Sequence, residues 1–262
     1  MQTDSVNHTF AKSSSFDDVI ARYYFDCHLR LVLFSAIEFI EIALRTKMIY
    51  HLSQSYGGLW YLNDVLFTNK DEHKRHLSNL QEEFARSGEV FAKAYRKEHP
   101  SEKPKSKMWE NSVKPDAWLI FEVATFGILS KMYKNLIHDL PEKSKIANEF
   151  GLNLHNELSG WLEAITYLRN IVAHHSRVWS RNMVKRTILP KNPRNQWLEN
   201  DLVEVQEKKP FLLITSMLYL CNAVNPNNKI KNKFLDLFKN SPDIPIYKLG
   251  FLNNWETEPL WR

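Results

Sequence analysis

Residues 161–181 read WLEAITYLRNIVAHHSRVWSR and form the one segment of the chain whose spacing indicates a chemistry. At about 100° per residue, six large apolar side chains fall within a sector of about 120°, the width of a helix face that packs on a core. A helix is therefore predicted over the whole segment, with Leu162 breaking its polar face. His175 is turned towards the apolar side, where packing or a buried hydrogen bond is its expected role. The apolar face consists of Trp161, Ile165, Leu168, Ile171, Val172 and Trp179.

The opposite face of this predicted helix collects cations and hydrogen-bonding groups. Asn170 and His174 are four residues apart, and His174 and Arg177 are three apart, so these side chains are expected to meet. From residue 164 to residue 198 the chain has seven Lys or Arg, two His and no Asp or Glu. A solvated helix face usually mixes charges of both signs, so this one-signed stretch indicates an anionic partner such as a phosphate chain.

The same residues carry a resemblance to a known family. The motif RNxxAHHxRxWxR at residues 169–181 resembles the Abi-like (AbiD/AbiF type) abortive-infection proteins, and its first six residues fit the Arg-x(4–6)-His signature of HEPN ribonucleases. Four more segments are similar to that family's landmarks, in the same order along the chain. They are YYFDxxLR at 23–30, IExxEIALR at 37–45, PxxWxxxExxxFGxLS at 115–130 and GFxxxW at 250–255.

The resemblance covers nearly the whole chain and implies an all-α fold, a HEPN-like helical bundle with additional helices. For the wider HEPN group it also implies metal-independent RNA cleavage in a homodimer. The sequence agrees with the fold class, because it has no internal repeat, no alternating strand runs and only 7 Gly.

The residue types of the motif suit RNA cleavage without a metal, in which the 2′-hydroxyl of the RNA attacks the adjacent phosphorus. His174 is the predicted general acid or base, because histidine titrates near neutrality. Arg169 is predicted to bind the phosphate through its planar guanidinium, and Asn170 to orient the imidazole or the phosphate. Flanking phosphates are assigned to Arg177, Arg181, Lys185 and Arg186.

A homodimer is predicted because one chain offers one such face, whereas the reaction benefits from two proton-transfer groups. Twofold pairing of the 169–181 segments would bring in a second His174, and Ala173 is small enough to allow close approach. No cofactor and no metal are expected, because no HExxH motif, paired carboxylates or Cys/His cluster occurs near the site, and the chain has no P-loop.

Two functions of different classes remain open from the sequence. The favoured one is a toxin-like endoribonuclease in bacterial abortive infection, restrained by an antitoxin protein or a noncoding RNA. The alternative is a non-catalytic HEPN-type RNA-binding or scaffold protein that recognises a structured or antitoxin RNA. Both have RNA as a partner and neither involves a membrane.

The composition is that of an ordinary globular protein, with 262 residues, 44% hydrophobic and 25% charged. The net charge of +5 permits binding to nucleic acid or to an anionic membrane. Cys27 and Cys221 are the two cysteines and are expected to be buried free thiols. No secretory signal is visible and the longest apolar run, residues 211–224, is too short to span a bilayer, so a cytoplasmic location is expected.

The predicted organisation is a flexible polar arm over residues 1–15 and one helical domain over residues 16–262. Within the domain, HPSEKPKSK at 99–107 is predicted to be an exposed loop, and the C-terminal tail is predicted to pack irregularly. A single helix is predicted from Pro115 to Tyr133, with Trp118 in its core.

Five charged residues lie in the apolar N-terminal region: Asp26, Arg30, Glu38, Glu41 and Arg45. Glu41 and Arg45 have the favourable i,i+4 order for an ion pair, and buried or half-buried pairing that orients helices is the expected role. The alternative is that Glu38 or Arg45 surrounds the predicted site and contacts Arg169 or His174.

Overall fold

In the computed structural model the described residues are 2–4, 9–10, 15–100, 113–200, 202 and 204–262. Helices make up most of them, which confirms the all-α class. The helices are α1 (Phe16–Tyr56), α2 (Lys70–Arg86), α3 (Val90–Glu98), α4 (Ala117–Ile120), α5 (Phe126–Asn135), α6 (Pro141–Glu149), α7 (His155–Ala173), α8 (Glu204–Glu207), α9 (Pro210–Val224) and α10 (Ile230–Lys239). Short 3-10 turns cover Trp60–Leu62, Asp64–Leu66, Phe121–Val123, Ile246–Leu249 and Trp255–Thr257.

Two short strands near the N-terminus were not predicted. β1 (Gln2–Asp4) and β2 (Thr9–Phe10) pair antiparallel within the segment predicted to be a flexible arm. Most of the predicted 99–107 loop lies outside the described residues, which resume at residue 113.

Helix α1 runs for 41 residues without a break, where the sequence allowed either two helices or one bent helix. It begins with a capping box, in which the Ser15 hydroxyl accepts the Asp18 N–H at 3.1 Å and the Asp18 carboxylate accepts the Ser15 N–H at 3.0 Å. It ends at Gly57, whose positive φ of 78° suits glycine. At 1.5 Å per residue the helix is about 60 Å long, long enough for several others to pack along it.

Helices α5, α6, α7, α9 and α10 all contact α1. Helix α9 is the most enclosed of them, with every residue from 210 to 221 buried, which confirms the predicted core helix at 211–224. Cys221 lies in this helix as a buried free thiol, and burial raises its pKa to about 12. Cys27 on α1 is also a free thiol but only half-buried.

The C-terminal tail packs irregularly, as predicted, and it does so through aromatic rings. Phe251, Trp255 and Trp261 form a cluster in which the Trp255 ring lies 5.1 Å from each of the other two. Phe238 of α10 joins it, with its ring 5.6 Å from that of Trp255. Edge-to-face contacts of this kind stabilise a segment whose regular backbone structure consists of short 3-10 turns.

The single helix predicted from residue 115 to residue 133 is wrong. The segment divides into α4, a 3-10 turn and α5, because Ala124 and Thr125 have extended backbones and the Thr125 hydroxyl caps the Ile128 N–H at 3.3 Å. Trp118 is 56% exposed and does not belong to the core. Within the described ranges, no helix combines the length and apolar character that crossing a bilayer requires.

Candidate functional site

The motif helix α7 ends at Ala173, eight residues earlier than predicted. The His175 N–H donates to the Val172 carbonyl and the Ser176 N–H donates to the Ile171 carbonyl, both at 3.0 Å. This pair of bonds is a Schellman motif, which closes a helix through a residue in the left-handed conformation. His175 occupies that position with φ of 54°, although glycine is the usual residue there.

Because α7 ends early, three residues that were predicted to lie on its two faces lie beyond the helix. Trp179, Arg177 and Arg181 lie in an irregular turn that follows the helix. The Arg181 Nε donates to the Arg177 carbonyl at 2.6 Å, and Ser180 has a positive φ of 60°. The spacing predicted that His174 and Arg177 would meet across one helical turn. That prediction is wrong, because Arg177 lies outside the helix.

The turn over residues 174–181 is fastened to α1 by Asp26, which is only 5% exposed. One carboxylate oxygen of Asp26 accepts the Val178 N–H at 2.9 Å and the Trp179 N–H at 2.6 Å. The other oxygen pairs with Arg30 one helical turn away. The predicted ion pairing in this region is confirmed, but the bonds to a turn 152 residues along the chain could not be read from local spacing.

Arg169, Asn170 and His174 all lie in the last turn of α7 or directly after it. The His174 N–H donates to the Asn170 carbonyl at 3.1 Å, so the two residues are stacked along the helix end. The side chains of Asn170 and His174 are exposed, and Arg169 is partly buried. Within the described part of the chain, neither the His174 ring nor the Asn170 amide has a hydrogen-bond partner, so both are open to a ligand.

Arg169 faces a half-buried ion pair on α1. Glu41 accepts from Arg45 at 2.9 Å, and the same Arg45 nitrogen donates to the Ala124 carbonyl at 3.2 Å. Burial raises the pKa of Glu41, while the positive charges of Arg45 and Arg169 lower it in part. The confirmed Glu41–Arg45 pair thus lies within electrostatic range of Arg169, whereas Glu38 is exposed.

The predicted phosphate-binding cations differ in how far they are already engaged. Glu163 accepts from Lys185 at 2.6 Å and from Lys134 at 2.7 Å, and these bonds hold its pKa at about 2. Lys185 therefore has Glu163 as a carboxylate partner, which was not predicted from the sequence. Among the described residues, the guanidinium groups of Arg177 and Arg186 have no hydrogen-bond or ion-pair partner, and both side chains are exposed.

A cleft of about 370 Å³ opens between α1 and the turn over residues 174–181. Val19 and Tyr23 line it from α1, and His175, Arg177 and Trp179 line it from the turn. The packing role predicted for His175 is wrong, because its side chain is exposed at the mouth of this cleft. The α1 side of the cleft was missed, although the YYFD motif at residues 23–26 marked the segment.

The structure defines an all-α protein whose motif helix ends with Asn170 and His174 exposed, and a cleft lined by arginines lies between α1 and the turn that follows the helix. Among the described residues, no group of three or more His, Cys, Asp or Glu could hold a metal ion. The protein-family model for Abi-like proteins matches residues 1–180, more than two thirds of the 262 residues, and the chain belongs to that family. No curated protein and no solved structure matches the chain.

The matched residues run from the N-terminus through α7 to the turn that Asp26 holds. They include Arg169, Asn170, His174 and Arg177, while the later predicted cations lie beyond them. The family match supports an abortive-infection-type protein.

Proposed function

We propose that the protein is a metal-independent endoribonuclease of the HEPN type, acting as a toxin-like effector in abortive infection. The observation that carries the proposal is the exposed turn at the end of α7. It presents a guanidinium, an amide and an imidazole from Arg169, Asn170 and His174, and the last two have no partner within the described residues. Family membership supports the biological setting, and the residue chemistry supports the reaction.

In the proposed reaction the 2′-hydroxyl oxygen of one nucleotide bonds to the adjacent phosphorus, and the bond from phosphorus to the 5′-oxygen breaks. The products are a 2′,3′-cyclic phosphate and a 5′-hydroxyl. His174 takes the proton from the 2′-hydroxyl or returns one to the leaving oxygen, because imidazole can do either near neutral pH. Arg169 stabilises the extra negative charge on the phosphorane, and Asn170 holds the phosphate or the ring.

The charged neighbours of Arg169 suit that role. A guanidinium does not act as a general base, so the task of Arg169 is to be placed correctly. The carboxylate of Glu41 attracts it, and Glu41 is itself fixed by Arg45, which also binds the backbone carbonyl of Ala124 between the 3-10 turn and α5. Pre-placed charge stabilises a transition state more than charge that must first reorganise.

A homodimer would supply the second proton-transfer group. Ala173 at the end of α7 is exposed, so two such helix ends could approach closely. Helix α1 adds an apolar surface, because Leu31, Phe34 and Ile42 are 66%, 46% and 52% exposed. On a helix these three lie within a sector of about 80°, next to the sector of Glu41, so a second copy covering them would sit beside the site.

Restraint by an antitoxin protein or a noncoding RNA belongs to the same proposal. An idle toxin must have its site blocked, and the unpartnered guanidinium groups of Arg177 and Arg186 give the site a positive surface that an RNA could cover.

The test is cleavage of RNA by the purified protein in EDTA, with His174→Ala and His28→Ala compared in parallel. His28 is an exposed histidine of α1 and serves as the matched control. We expect His28→Ala to cut like the unaltered protein and His174→Ala to lose at least a hundredfold in rate, the usual contribution of general acid–base catalysis. Intact RNA bound equally by all three proteins would instead favour the non-catalytic binding module.

A further inference from the structure

The cleft between α1 and the turn over residues 174–181 combines two aromatic side chains with fixed positive charge. Tyr23 is 61% exposed and its ring lies 5.6 Å from that of Tyr24, in an edge-to-face arrangement. Trp179 lies on the opposite side, with the Arg22 guanidinium 5.9 Å above its ring. Arg22 also lines the cleft and is itself held by a 2.6 Å bond to the Asp18 carbonyl, so its guanidinium fixes the position of the Trp179 ring.

The one carboxylate in the cleft does not repel an anion. Both oxygens of Asp26 are occupied, one by two backbone N–H groups of the turn and the other by Arg30. Arg30 also donates to the Cys27 sulfur at 3.1 Å, so its guanidinium is already engaged by two residues of α1. Of the cationic groups that line the cleft, Arg177 has no partner among the described residues and remains free to bind a phosphate.

We propose that this cleft binds one unstacked nucleobase of a single-stranded RNA. The base lies between Tyr23 and Trp179, and Arg177 binds the phosphate next to it. Aromatic side chains accept any base by stacking, and an adjoining arginine supplies the charge that its phosphate requires. His175 lines the cleft and is the direct chain neighbour of His174, so the bound nucleotide flanks the phosphate to be cut.

The inference rests on the proposed function for its ligand, which is RNA, but not on cleavage. The cleft therefore selects a substrate class, namely RNA with an unpaired base beside the scissile bond. A base inside a duplex is stacked and paired, and both interactions must be broken before any contact with Tyr23 forms. Single-stranded loops and tails are the expected targets.

Binding is measured in the His174→Ala background, so that the RNA stays intact. The ligands are a fluorescent 12-nucleotide single-stranded RNA and the same RNA with abasic ribose at its four central positions. Tyr23→Ala should weaken binding of the ordinary RNA roughly 5- to 150-fold and leave binding of the abasic RNA unchanged. The control Tyr50→Ala, an equally exposed tyrosine of α1 outside the cleft, should bind both RNAs as the background protein does.

Salt separates the stacking contribution from the phosphate contribution. Arg177→Gln should weaken binding of both RNAs and reduce the slope of log affinity against log salt by about 0.7, whereas Tyr23→Ala should leave that slope unchanged. Circular dichroism is the check that each variant keeps its helices.

Equal affinity of Tyr23→Ala and the background protein for the ordinary RNA would overturn the base-binding cleft, as would failure of the background protein to bind RNA. Sedimentation gives another independent check: a dimer that Tyr23→Ala converts to a monomer would make the cleft a contact between copies and also overturn it. Retention of full cleavage by His174→Ala would overturn the proposed function alone, because the binding measurements do not depend on it.

Discussion

Asp26 is expected to decide where the motif helix ends and how the turn after it is held. Its carboxylate accepts two backbone N–H groups, from Val178 at 2.9 Å and from Trp179 at 2.6 Å, and pairs with Arg30. Asp26→Ala removes all three bonds and leaves a buried N–H at Val178 with no acceptor. Because Asp26 is 5% exposed, water cannot replace it without opening the packing of α1 against the turn.

The size of the effect follows from those bonds. Removing one partner of a buried, hydrogen-bonded charge typically costs about 3–5 kcal/mol. Asp26→Asn keeps one oxygen that can accept both N–H groups but puts an amide NH2 where Arg30 has its acceptor, so its cost should be about 1–3 kcal/mol, below that of the alanine variant. For a chain of this size, the alanine variant should melt roughly 10 °C lower and the asparagine variant a few degrees lower.

Urea unfolding followed by circular dichroism gives both free energies, with Asp17→Ala as the control. Asp17 is an exposed acidic residue in the first turn of α1 and should cost well under about 1 kcal/mol. Hydrogen exchange at Val178 and Trp179 should rise selectively in Asp26→Ala. A loss below about 1 kcal/mol, with both amides still protected, would refute the fastening of the turn by Asp26.

Three other substitutions probe the backbone and charges around the site by unfolding measurements. His175→Gly should raise the free energy of unfolding by roughly 0.5–1 kcal/mol, because glycine adopts φ of 54° without strain, and a drop in stability would count against the left-handed helix end. Gly151→Ala should lower it by about 2–3 kcal/mol, since the added Cβ would lie 2.9 Å from the Tyr219 hydroxyl at φ of 79°, and a neutral result would contradict that crowding. Glu163→Gln should be less stable than the unaltered protein at pH 6. That difference should vanish as pH falls from 4.5 to about 2, because the paired carboxylate has its pKa lowered over that range and contributes only while ionised; a difference that persists at pH 2 would argue against the ion pair.

Local patterns were enough to predict the parts of the fold that short-range packing decides. The apolar run at 211–224 became α9, which is buried from residue 210 to residue 221, and the i,i+4 order of Glu41 and Arg45 became an ion pair. The capping role of Thr125 was visible in principle, because a threonine that begins a new helix is a common N-cap, but the surrounding apolar residues favoured one continuous helix.

The end of α7 could not be predicted from local signals. Neither glycine nor proline occurs between residues 174 and 181, so the two strongest helix stop signals are missing there. The helix ends because Asp26, far away in the chain, binds the N–H groups of Val178 and Trp179 in a conformation that a helix would not allow. A long-range bond of this kind leaves no trace in the spacing of the motif.

The exposed surface of α1 could not be predicted from the sequence either. Apolar residues occur on several sides of this helix, and periodicity alone does not reveal which side the rest of the chain covers. The structure buries the side with Leu29, Leu33 and Ile40 and exposes the side with Leu31 and Phe34. The cleft at Tyr23 arises at the border between the two sides.

The most direct measurement of the proposed chemistry is mass spectrometry of the RNA ends produced in EDTA. A single-stranded RNA is compared with the same RNA carrying one 2′-deoxynucleotide on the 5′ side of the preferred cleavage position. We expect a 2′,3′-cyclic phosphate and a 5′-hydroxyl from the first RNA and no cut at the deoxy position of the second. Cleavage that persists at the deoxy position, or ends carrying a 5′-phosphate, would contradict attack by the 2′-hydroxyl at the site of Arg169, Asn170 and His174.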